Sequence, residues 1–301
     1  MRYLCLRSFI SLAIASLLAF TLQAAERSVD GAYGPVTVEG SPKRVVALGE
    51  NALDAALSVG VQPVGALASR GGTDIPDYLK ERSGPVALVG TVREPSLEAV
   101  LALQPDLILA SSGLPRAQYD KLSLIAPTVV PKGGTFDDWR NTFAVYAHAL
   151  DKDAEARQRI AEIDERVAGL RDQLSDELQI SVIRWNPQGP FIMSSQLFVG
   201  QLLDAIGFKP NELSTQTKKP HTDILSLENL SKADADWVFL ATLNADGRKA
   251  LDDAKQQPAF NRLNAVKNDH VVTVDGQVWS SSSGYLAAQH VLDDVERALF
   301  D

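Results

Sequence analysis

The sequence predicts an α/β protein of two related Rossmann-like lobes, joined by one long connecting α-helix and with a ligand cleft between them. The first observation is a repeat. Ser96-Leu97-Glu98 precedes Asp106 and an apolar run, and Ser226-Leu227-Glu228 precedes Asp236 and another apolar run, with ten positions from serine to aspartate in both copies. The second observation is a long amphipathic segment between the two copies. Two similar lobes favour a ligand that binds between them, and hence a binding protein.

The first half of the chain alternates short apolar runs with helical patterns. Residues 44–48, 63–68 and 107–110 are predicted as buried strands. Residues 52–59 and 96–103 are predicted as helices, the second with Ser96 as its N-cap. Strand–helix alternation with short connections indicates a parallel sheet with helices covering its faces.

The segment between the halves has the period of a helix. Residues 153–174 contain no proline and carry apolar side chains at three- and four-residue spacing, at Ile160, Ile163, Val167, Leu170 and Leu174. At 1.5 Å per residue this helix would be roughly 33 Å long, about the width of a small domain. We therefore predict a first lobe over 26–150, a connecting helix over 151–176 and a second lobe over 177–301.

The second half repeats the strand–helix theme. A strand is predicted at 180–183 and a last clear strand at 271–274. An amphipathic pattern over 287–299 predicts a closing helix.

The N-terminal residues 1–25 are predicted to be a signal peptide. Arg2 and Arg7 precede an apolar run that ends in small residues at Ala24 and Ala25. The only cysteine, Cys5, lies inside this segment and away from the predicted cleavage point, so the mature chain would have no thiol. These features predict an exported, soluble protein of the periplasm.

The charge of the chain excludes some classes of partner. The full sequence has a formal charge of −9, and removal of the leader makes it −11 because the leader holds two basic residues and no acidic ones. An acidic body argues against nucleic acid and anionic membrane surfaces as partners.

Several segments together resemble one known family. Residues 42–48, 89–98 and 104–108 resemble, in order and spacing, the opening strand and following motifs of the periplasmic siderophore- and vitamin B12-binding proteins of ABC importers. The similarity is greatest to the ferric-hydroxamate and ferric-citrate binders. The resemblance implies a monomer with a shallow cleft that delivers a ferric siderophore to an ABC permease dimer in the inner membrane. The siderophore is then a transported ligand, and no cofactor is expected.

Arginines in loops are the first candidates for contact with such a ligand, because guanidinium groups bind carboxylates and carbonyl oxygens without changing protonation. Arg93 follows the predicted strand end at Gly90, one position after the family's arginine position. Arg116 follows the strand that ends at Ala110, and Arg70 lies in a glycine-rich loop. Each has a plain alternative as a solvated surface arginine.

Aromatic side chains and a basic loop complete the predicted site. Trp279, placed at the end of the last strand, and Trp185, placed after the strand at 181–183, are candidates for the cleft wall, with core packing as the alternative. Lys219 and His221 precede the second copy of the repeat, where the resemblance implies that a histidine can contact ferric iron directly. A histidine that only forms hydrogen bonds is the alternative, and no resident metal is expected. Tyr285 is a further candidate for ligand contact.

Glu98 and Glu228 begin predicted helices at equivalent points of the repeat. A carboxylate at a helix N-terminus is favourable in itself. The resemblance implies a second role, in which one surface glutamate on each lobe pairs with arginines of the two permease subunits. Such charges steer association and fix its register more than they add affinity.

Two other functions stay open at the level of sequence. A haem or corrinoid binder of the same fold would need an axial ligand, and Tyr78, Tyr119 and Tyr285 are available. A periplasmic enzyme or metal chaperone is the alternative from another class. The sequence lacks the zinc-protease, nucleophile-elbow and phosphate-loop motifs, which argues against an enzyme.

Overall fold

The computed structural model describes residues 26–300, so the predicted signal peptide at 1–25 lies outside the described residues. Within 26–300, no helix combines the length and hydrophobicity that crossing a bilayer requires.

Two strands and a parallel sheet build the first lobe. Strands β1 (Glu26–Gly31) and β2 (Gly34–Glu39) pair as an antiparallel hairpin. The parallel sheet has the order β5-β4-β3-β6-β7. Its strands are β3 (Val45–Leu48), β4 (Gly65–Ala68), β5 (Ala87–Thr91), β6 (Leu107–Ala110) and β7 (Thr128–Val129). The helices of this lobe are α1 (Glu50–Ser58), α2 (Asp77–Ser83), α3 (Leu97–Ala102), α4 (Arg116–Leu122) and α5 (Trp139–Ala149). Strands β3 and β6 are buried along their whole length, as expected for strands covered on both faces.

Helix α6 (Asp153–Gln173) leads from the first lobe to the second. The second sheet has the order β10-β8-β11-β12, and a further strand, β9, pairs antiparallel with β8. Its strands are β8 (Gln179–Asn186), β9 (Gly189–Ile192), β10 (Lys209–Pro210), β11 (Trp237–Thr242) and β12 (Val271–Asp275). The helices are α7 (Phe198–Ile206), α8 (Glu212–Gln216), a 3-10 helix (Leu227–Ala233), α9 (Ala245–Lys255), α10 (Pro258–Asn261), α11 (Asn264–Lys267), α12 (Gly276–Ser280) and α13 (Tyr285–Leu299).

The repeated aspartates have the same structural role in both lobes. Asp106 precedes β6, and its carboxylate accepts the backbone N–H groups of Lys43 and Arg44 at 2.7 and 2.9 Å, where β3 is about to begin. Asp236 precedes β11, and its carboxylate accepts the N–H of Gln179 at 2.7 Å, at the start of β8. Each aspartate therefore ties the start of one strand to its parallel neighbour.

Helices α6 and α13 connect the lobes along one side. The buried face of α6 carries Ile163, Val167 and Leu170. Arg166 of α6 pairs with Asp293 and Glu296 of α13 at 2.8 and 2.9 Å. Helix α13 also packs on α1 of the first lobe, so this last helix contacts both the connecting helix and the first lobe.

Candidate ligand-binding cleft

A polar cavity of about 430 Å³ opens between the two lobes. Loops that follow parallel strands in both sheets line it, which is where α/β sheets bind ligands. The polar lining residues of the first lobe are Asn51, Arg70, Ser112, Thr135, Asp137 and Thr142. The second lobe contributes Arg184, His221, Trp279 and the run Ser280–Ser283.

The wall of the first lobe is built from residues that follow three neighbouring strands. Asn51 lies in the first turn of α1 after β3, Arg70 follows β4, and Ser112 follows β6. The backbone N–H of Arg70 donates to Glu50 Oε1 at 2.6 Å, which fixes the loop that carries the guanidinium. Burial is the main cause that raises the pKa of the Glu50 carboxyl, and the hydrogen bond from Arg70 opposes it.

The wall of the second lobe contains an arginine within a strand. Side chains alternate along β8, so Val182 and Arg184 point to one face while Ile183 and Trp185 point to the other. The Arg184 guanidinium lies over the ring of Phe191, with 5.3 Å from its Cζ to the ring centroid. Burial, and then the nearby charge of Arg70, lower the pKa of Arg184 from its usual value.

His221 lines the cavity, and a neighbouring backbone carbonyl holds one of its ring nitrogens. Its Nδ1 lies 2.7 Å from the carbonyl oxygen of Thr222, and because a carbonyl only accepts, Nδ1 carries the proton. The Nε2 lone pair of the neutral ring is then available to a donor or a metal ion. The ring rests against Phe191, with 4.3 Å between the two centroids.

Buried polar atoms without a protein partner concentrate at this cavity. Six such side-chain atoms occur within the described residues, and four of them belong to cavity-lining residues: Trp139 Nε1, Arg184 Nε, Ser281 Oγ and Ser282 Oγ. Buried polar groups are normally satisfied, so this concentration indicates a place that receives a polar partner.

The lining carries more positive than negative charge. Arg70 and Arg184 are its cations, and neither forms an ion pair with a carboxylate anywhere in 26–300. Asp137 is the carboxylate of the lining, and its Oδ2 accepts the N–H of Gly134 at 2.6 Å. The described part of the chain contains no group of three or more His, Cys, Asp or Glu side chains that could hold a metal ion.

Comparison with known proteins identifies the family. Residues 45–278 match the model of the family described as Periplasmic binding protein. The chain belongs to this family. This family consists of substrate-binding transport proteins. The two-lobed α/β fold with a cleft, which this chain shares with its structural relatives, confirms the predicted fold class.

Named relatives of this periplasmic binding protein cover most of its length. The chain is 34% identical over 282 residues to the probable siderophore-binding lipoprotein YfiY of Bacillus subtilis (strain 168), covering 90% of this chain and 86% of the relative. It is 31% identical over 279 residues to the Fe(3+)-citrate-binding protein YfmC of the same organism, covering 91% and 86%. The crystal structure of Staphylococcus aureus SirA complexed with staphyloferrin B has a TM-score of 0.79 at 30% identity, covering 91% of this chain and 98% of that one.

Three of the eight residues predicted for ligand contact line the cavity: Arg70, His221 and Trp279. Trp279 lies in the short helix α12 and not at the end of a strand as predicted, because the Asp275 side chain accepts the N–H of Gln277 at 2.8 Å and starts a helix as soon as β12 ends. Its ring stacks on Phe239 at 4.4 Å, and its Nε1 donates to Asp294 at 2.8 Å.

The cavity lining does not include the other five predicted residues. Arg93 lies exposed in the turn after β5. Arg116 is the first residue of α4 and not part of a loop, and it pairs with Asp120 at 2.7 Å. Lys219 is exposed and pairs with Asp223 at 3.3 Å.

The remaining two of these five, Trp185 and Tyr285, are buried away from the cavity. Trp185 lies within β8, not after it, and packs on Phe260 on the opposite face from Arg184. The Tyr285 hydroxyl donates to Glu162 at 2.6 Å, so this side chain belongs to the junction between α6 and α13.

Sequence analysis missed Asn51, Ser112, Asp137 and above all Arg184. Arg184 had a usable signal, because a charged side chain inside an otherwise apolar strand needs a special environment. The small polar residues had none, since serine and asparagine are ordinary loop residues.

Proposed function

We propose that this protein binds a ferric complex whose ligand carries carboxylates, as in ferric citrate or a carboxylate siderophore. The observation that carries the proposal is the pair of arginines, Arg70 and Arg184, that line the cavity from opposite lobes and form no direct ion pair in the described residues. The carboxylate that senses the charge of Arg70 is the buried Glu50. Two cations that repel one another across a cleft favour a bridging anion. The printed names of the relatives, which include siderophore and ferric-citrate binding, support the same class of ligand.

The chemistry of the two arginines favours carboxylates over neutral ligands. A guanidinium presents a planar fork of N–H donors that matches a carboxylate bidentately. Arg184 is partly buried and its Nε has no acceptor, so an incoming carboxylate both neutralises its charge and satisfies that donor. The Ser281 hydroxyl, which has no partner in the described residues, adds a donor on the same wall.

His221 supports a further contact with the ferric centre. Its Nε2 lone pair is free, and a neutral imidazole is a suitable ligand where the chelator leaves a coordination position of iron open. The iron itself is cargo that arrives with its chelator.

The delivery step completes the proposal. The predicted signal peptide places the mature protein in the periplasm, where it acts as a monomer that carries its ligand to an ABC permease dimer. Glu98 on α3 and Glu228 on the 3-10 helix are both exposed, and neither pairs with a cation within residues 26–300. Equivalent free carboxylates, one on each lobe, suit a receptor of two similar subunits.

The test is a titration of the mature protein, by calorimetry, with ferric citrate, ferric staphyloferrin B, a neutral ferric trishydroxamate and haem. We expect saturable binding of a carboxylate complex and weak binding of the neutral one. Arg184→Gln should weaken binding about 10- to 100-fold, the effect of losing one or two hydrogen bonds to a charged group.

Arg116→Gln is the matched control, because Arg116 is an exposed arginine outside the cavity lining. It should bind like the wild type. Equal affinity for the neutral trishydroxamate, or binding of haem with a Soret band and of no ferric chelate, would contradict the proposal.

A further inference from the structure

A second junction between the lobes is formed by a buried carboxylate. Asp54 on α1 of the first lobe is 0% exposed. Its two oxygens accept the backbone N–H groups of Leu286 and Ala287 at 3.1 and 2.9 Å, and both belong to the first turn of α13. A residue of the first lobe therefore caps the N-terminus of the last helix of the second lobe. The bonded residues lie more than 230 positions apart in the chain.

Two hydroxyl groups of the same lobe lie beside the Asp54 carboxylate. The Tyr78 hydroxyl lies 3.2 Å from Oδ2. The Ser58 hydroxyl donates to the Asp54 carbonyl oxygen at 2.6 Å and lies 3.1 Å from Oδ1. The helix start approaches this carboxylate closely, because a Cβ added at Gly284 would overlap Asp54 Oδ1, and the φ of +145° at Gly284 disfavours any side chain there.

The elements that Asp54 joins are the elements that carry the cleft. Helix α1 places Asn51 in the cavity wall, and its first residue, Glu50, holds the loop of Arg70. The run Ser280–Ser283, on the opposite wall, leads directly into Gly284 and α13. Movement of the start of α13 relative to α1 would therefore change the width of the cleft.

We propose that Asp54 is a positioning residue for ligand binding: its ionised carboxylate locks the start of α13 to α1 and so holds the two walls of the cleft at the distance that a bridging ligand needs. This inference rests on the proposed function of the cleft. An ionised carboxylate at a helix N-terminus makes charge-assisted hydrogen bonds and interacts favourably with the helix dipole, whereas a neutral acid loses much of both.

The surroundings shift the titration of the Asp54 carboxyl. Burial raises the pKa of Asp54 to about 6, against the opposing effect of its hydrogen bonds. The titratable and charged groups on the elements packed around it are Glu50 on the same helix and Tyr78 on α2. Helix α13 adds Tyr285 and His290, and α6 adds Arg159 and Glu162, which reach Ser58 and Tyr285. Burial also raises the pKa of Tyr78 far above its usual value, so its hydroxyl stays a donor.

Protonation of Asp54 is expected to favour the joined arrangement of α13 and α1. The pKa of this carboxyl is higher in the buried site than in water, so as pH falls through 6 the uptake of a proton stabilises the buried site relative to any opened arrangement that hydrates Asp54. Over the same range the folded state binds more protons than the unfolded state, in which the pKa is 3.8, so this group raises the free energy of unfolding as pH falls toward 4.

The main variant is Asp54→Asn, which keeps the shape of the side chain and replaces one acceptor oxygen by a donor. Binding of the ferric carboxylate complex, measured at pH 7.5 and pH 5, should be roughly tenfold weaker than wild type at pH 7.5, the effect of one lost charge-assisted hydrogen bond. At pH 5 the difference between the two proteins should be at least as large, because proton uptake by the buried Asp54 favours the wild-type junction. Dividing the two affinities at each pH removes the titration of the ligand, His221, Glu50 and Asp275, which both proteins share.

Two companion variants sharpen the result. Gly284→Ala should weaken binding at pH 7.5 as Asp54→Asn does, because its Cβ displaces the same carboxylate. His290→Gln should retain the wild-type pH dependence, since it removes the exposed histidine near Tyr78 and leaves Asp54 intact. Thermal unfolding at both pH values accompanies each titration, and loss of affinity without an equal loss of stability separates positioning from a general structural role.

A measurement without ligand keeps this proposal separate from the proposed function. Spin labels at Leu124→Cys and Asp252→Cys, both exposed and one on each lobe, report the distance between the lobes in a mature chain that has no other cysteine. We expect a narrow distance distribution for wild type at both pH 7.5 and pH 5, and a broad distribution for Asp54→Asn at both.

A distribution for Asp54→Asn as narrow as that of wild type, or wild-type affinity of Asp54→Asn at pH 7.5, would overturn the proposal. If the labels respond as expected while no ferric chelate binds, the lock is supported and the proposed function fails.

Discussion

Tyr146 is a fully buried side chain whose hydroxyl supports a strand that ends at the cleft. The hydroxyl donates to the carbonyl oxygen of Ala110 at 2.9 Å, at the last residue of β6. The residues that follow, Ser111 and Ser112, begin the loop that reaches the cavity. Burial raises the pKa of the Tyr146 phenol, so it remains a donor throughout the physiological range.

We expect Tyr146→Phe to lower the free energy of unfolding by about 1–2 kcal/mol, because it removes a buried hydrogen bond and leaves a carbonyl without that donor. Thermal or urea unfolding measures the change. Tyr33→Phe is the control, since its hydroxyl makes a similar bond to Leu114 at only partly buried positions and should cost less. Equal losses for the two variants would contradict this explanation.

Arg184 and Trp185 show that sequence alone does not determine which of two neighbouring strand residues faces the cleft. Both stand in the same strand, and which of them faces the cleft depends on the register of β8 against β11. A shift by one residue would exchange their faces. The sequence pattern favoured the tryptophan as an aromatic wall, whereas the sheet presents the arginine.

At the scale of elements, the helices and strands that local signals predicted lie close to their observed bounds, whereas α2, α4, α5 and α7 to α12 had not been predicted. Ser96 is the N-cap predicted for α3, and its side chain accepts the N–H of Ala99 at 3.2 Å. Strand β6 has the predicted bounds, and α6 lies within the predicted segment 151–176. The second copy of the repeat differs, because the segment after Ser226 forms a 3-10 helix and lacks a side-chain cap. Short helices depend on their packing as much as on their sequence.

Helix α6 contains one residue that weakens it without a structural need. Gly169 is exposed on the helix, and a Cβ placed there would meet nothing within 4 Å. We expect Gly169→Ala to raise the free energy of unfolding by about 0.5–1 kcal/mol through helix propensity, and the melting temperature by roughly 1–4 °C.

Differential scanning calorimetry measures the effect of Gly169→Ala. Ligand affinity should not change, because Gly169 lies outside the cavity lining. A decrease in melting temperature would show that α6 needs the flexibility of glycine at this position.

At the scale of the whole molecule, the proposed docking surface has one carboxylate on each lobe. The double variant Glu98→Ala with Glu228→Ala should bind the ferric ligand with wild-type affinity, since neither residue lines the cavity. It should lose most of its ability to stimulate ATP hydrolysis by its permease in liposomes, because charges at the rim steer association and fix its register.

The control for docking is Glu39→Ala with Glu165→Ala, which removes two other exposed carboxylates and leaves the net charge equal to that of the test variant. This control should stimulate the permease normally. Normal stimulation by the Glu98 and Glu228 double variant would exclude them as docking residues.

The sequence by itself determined the family, the two-lobed α/β fold and the long connecting helix, because each depends on local periodicity or on motifs that recur along the chain. Tertiary structure alone decided which side chains meet. Arg70 and Arg184 line one cavity although they are 114 positions apart, and Asp54 caps a helix more than 230 positions away. Strand register and the packing of α13 on α1 bring these side chains together. Both depend on interactions between distant segments of the chain rather than on the pattern within any one segment.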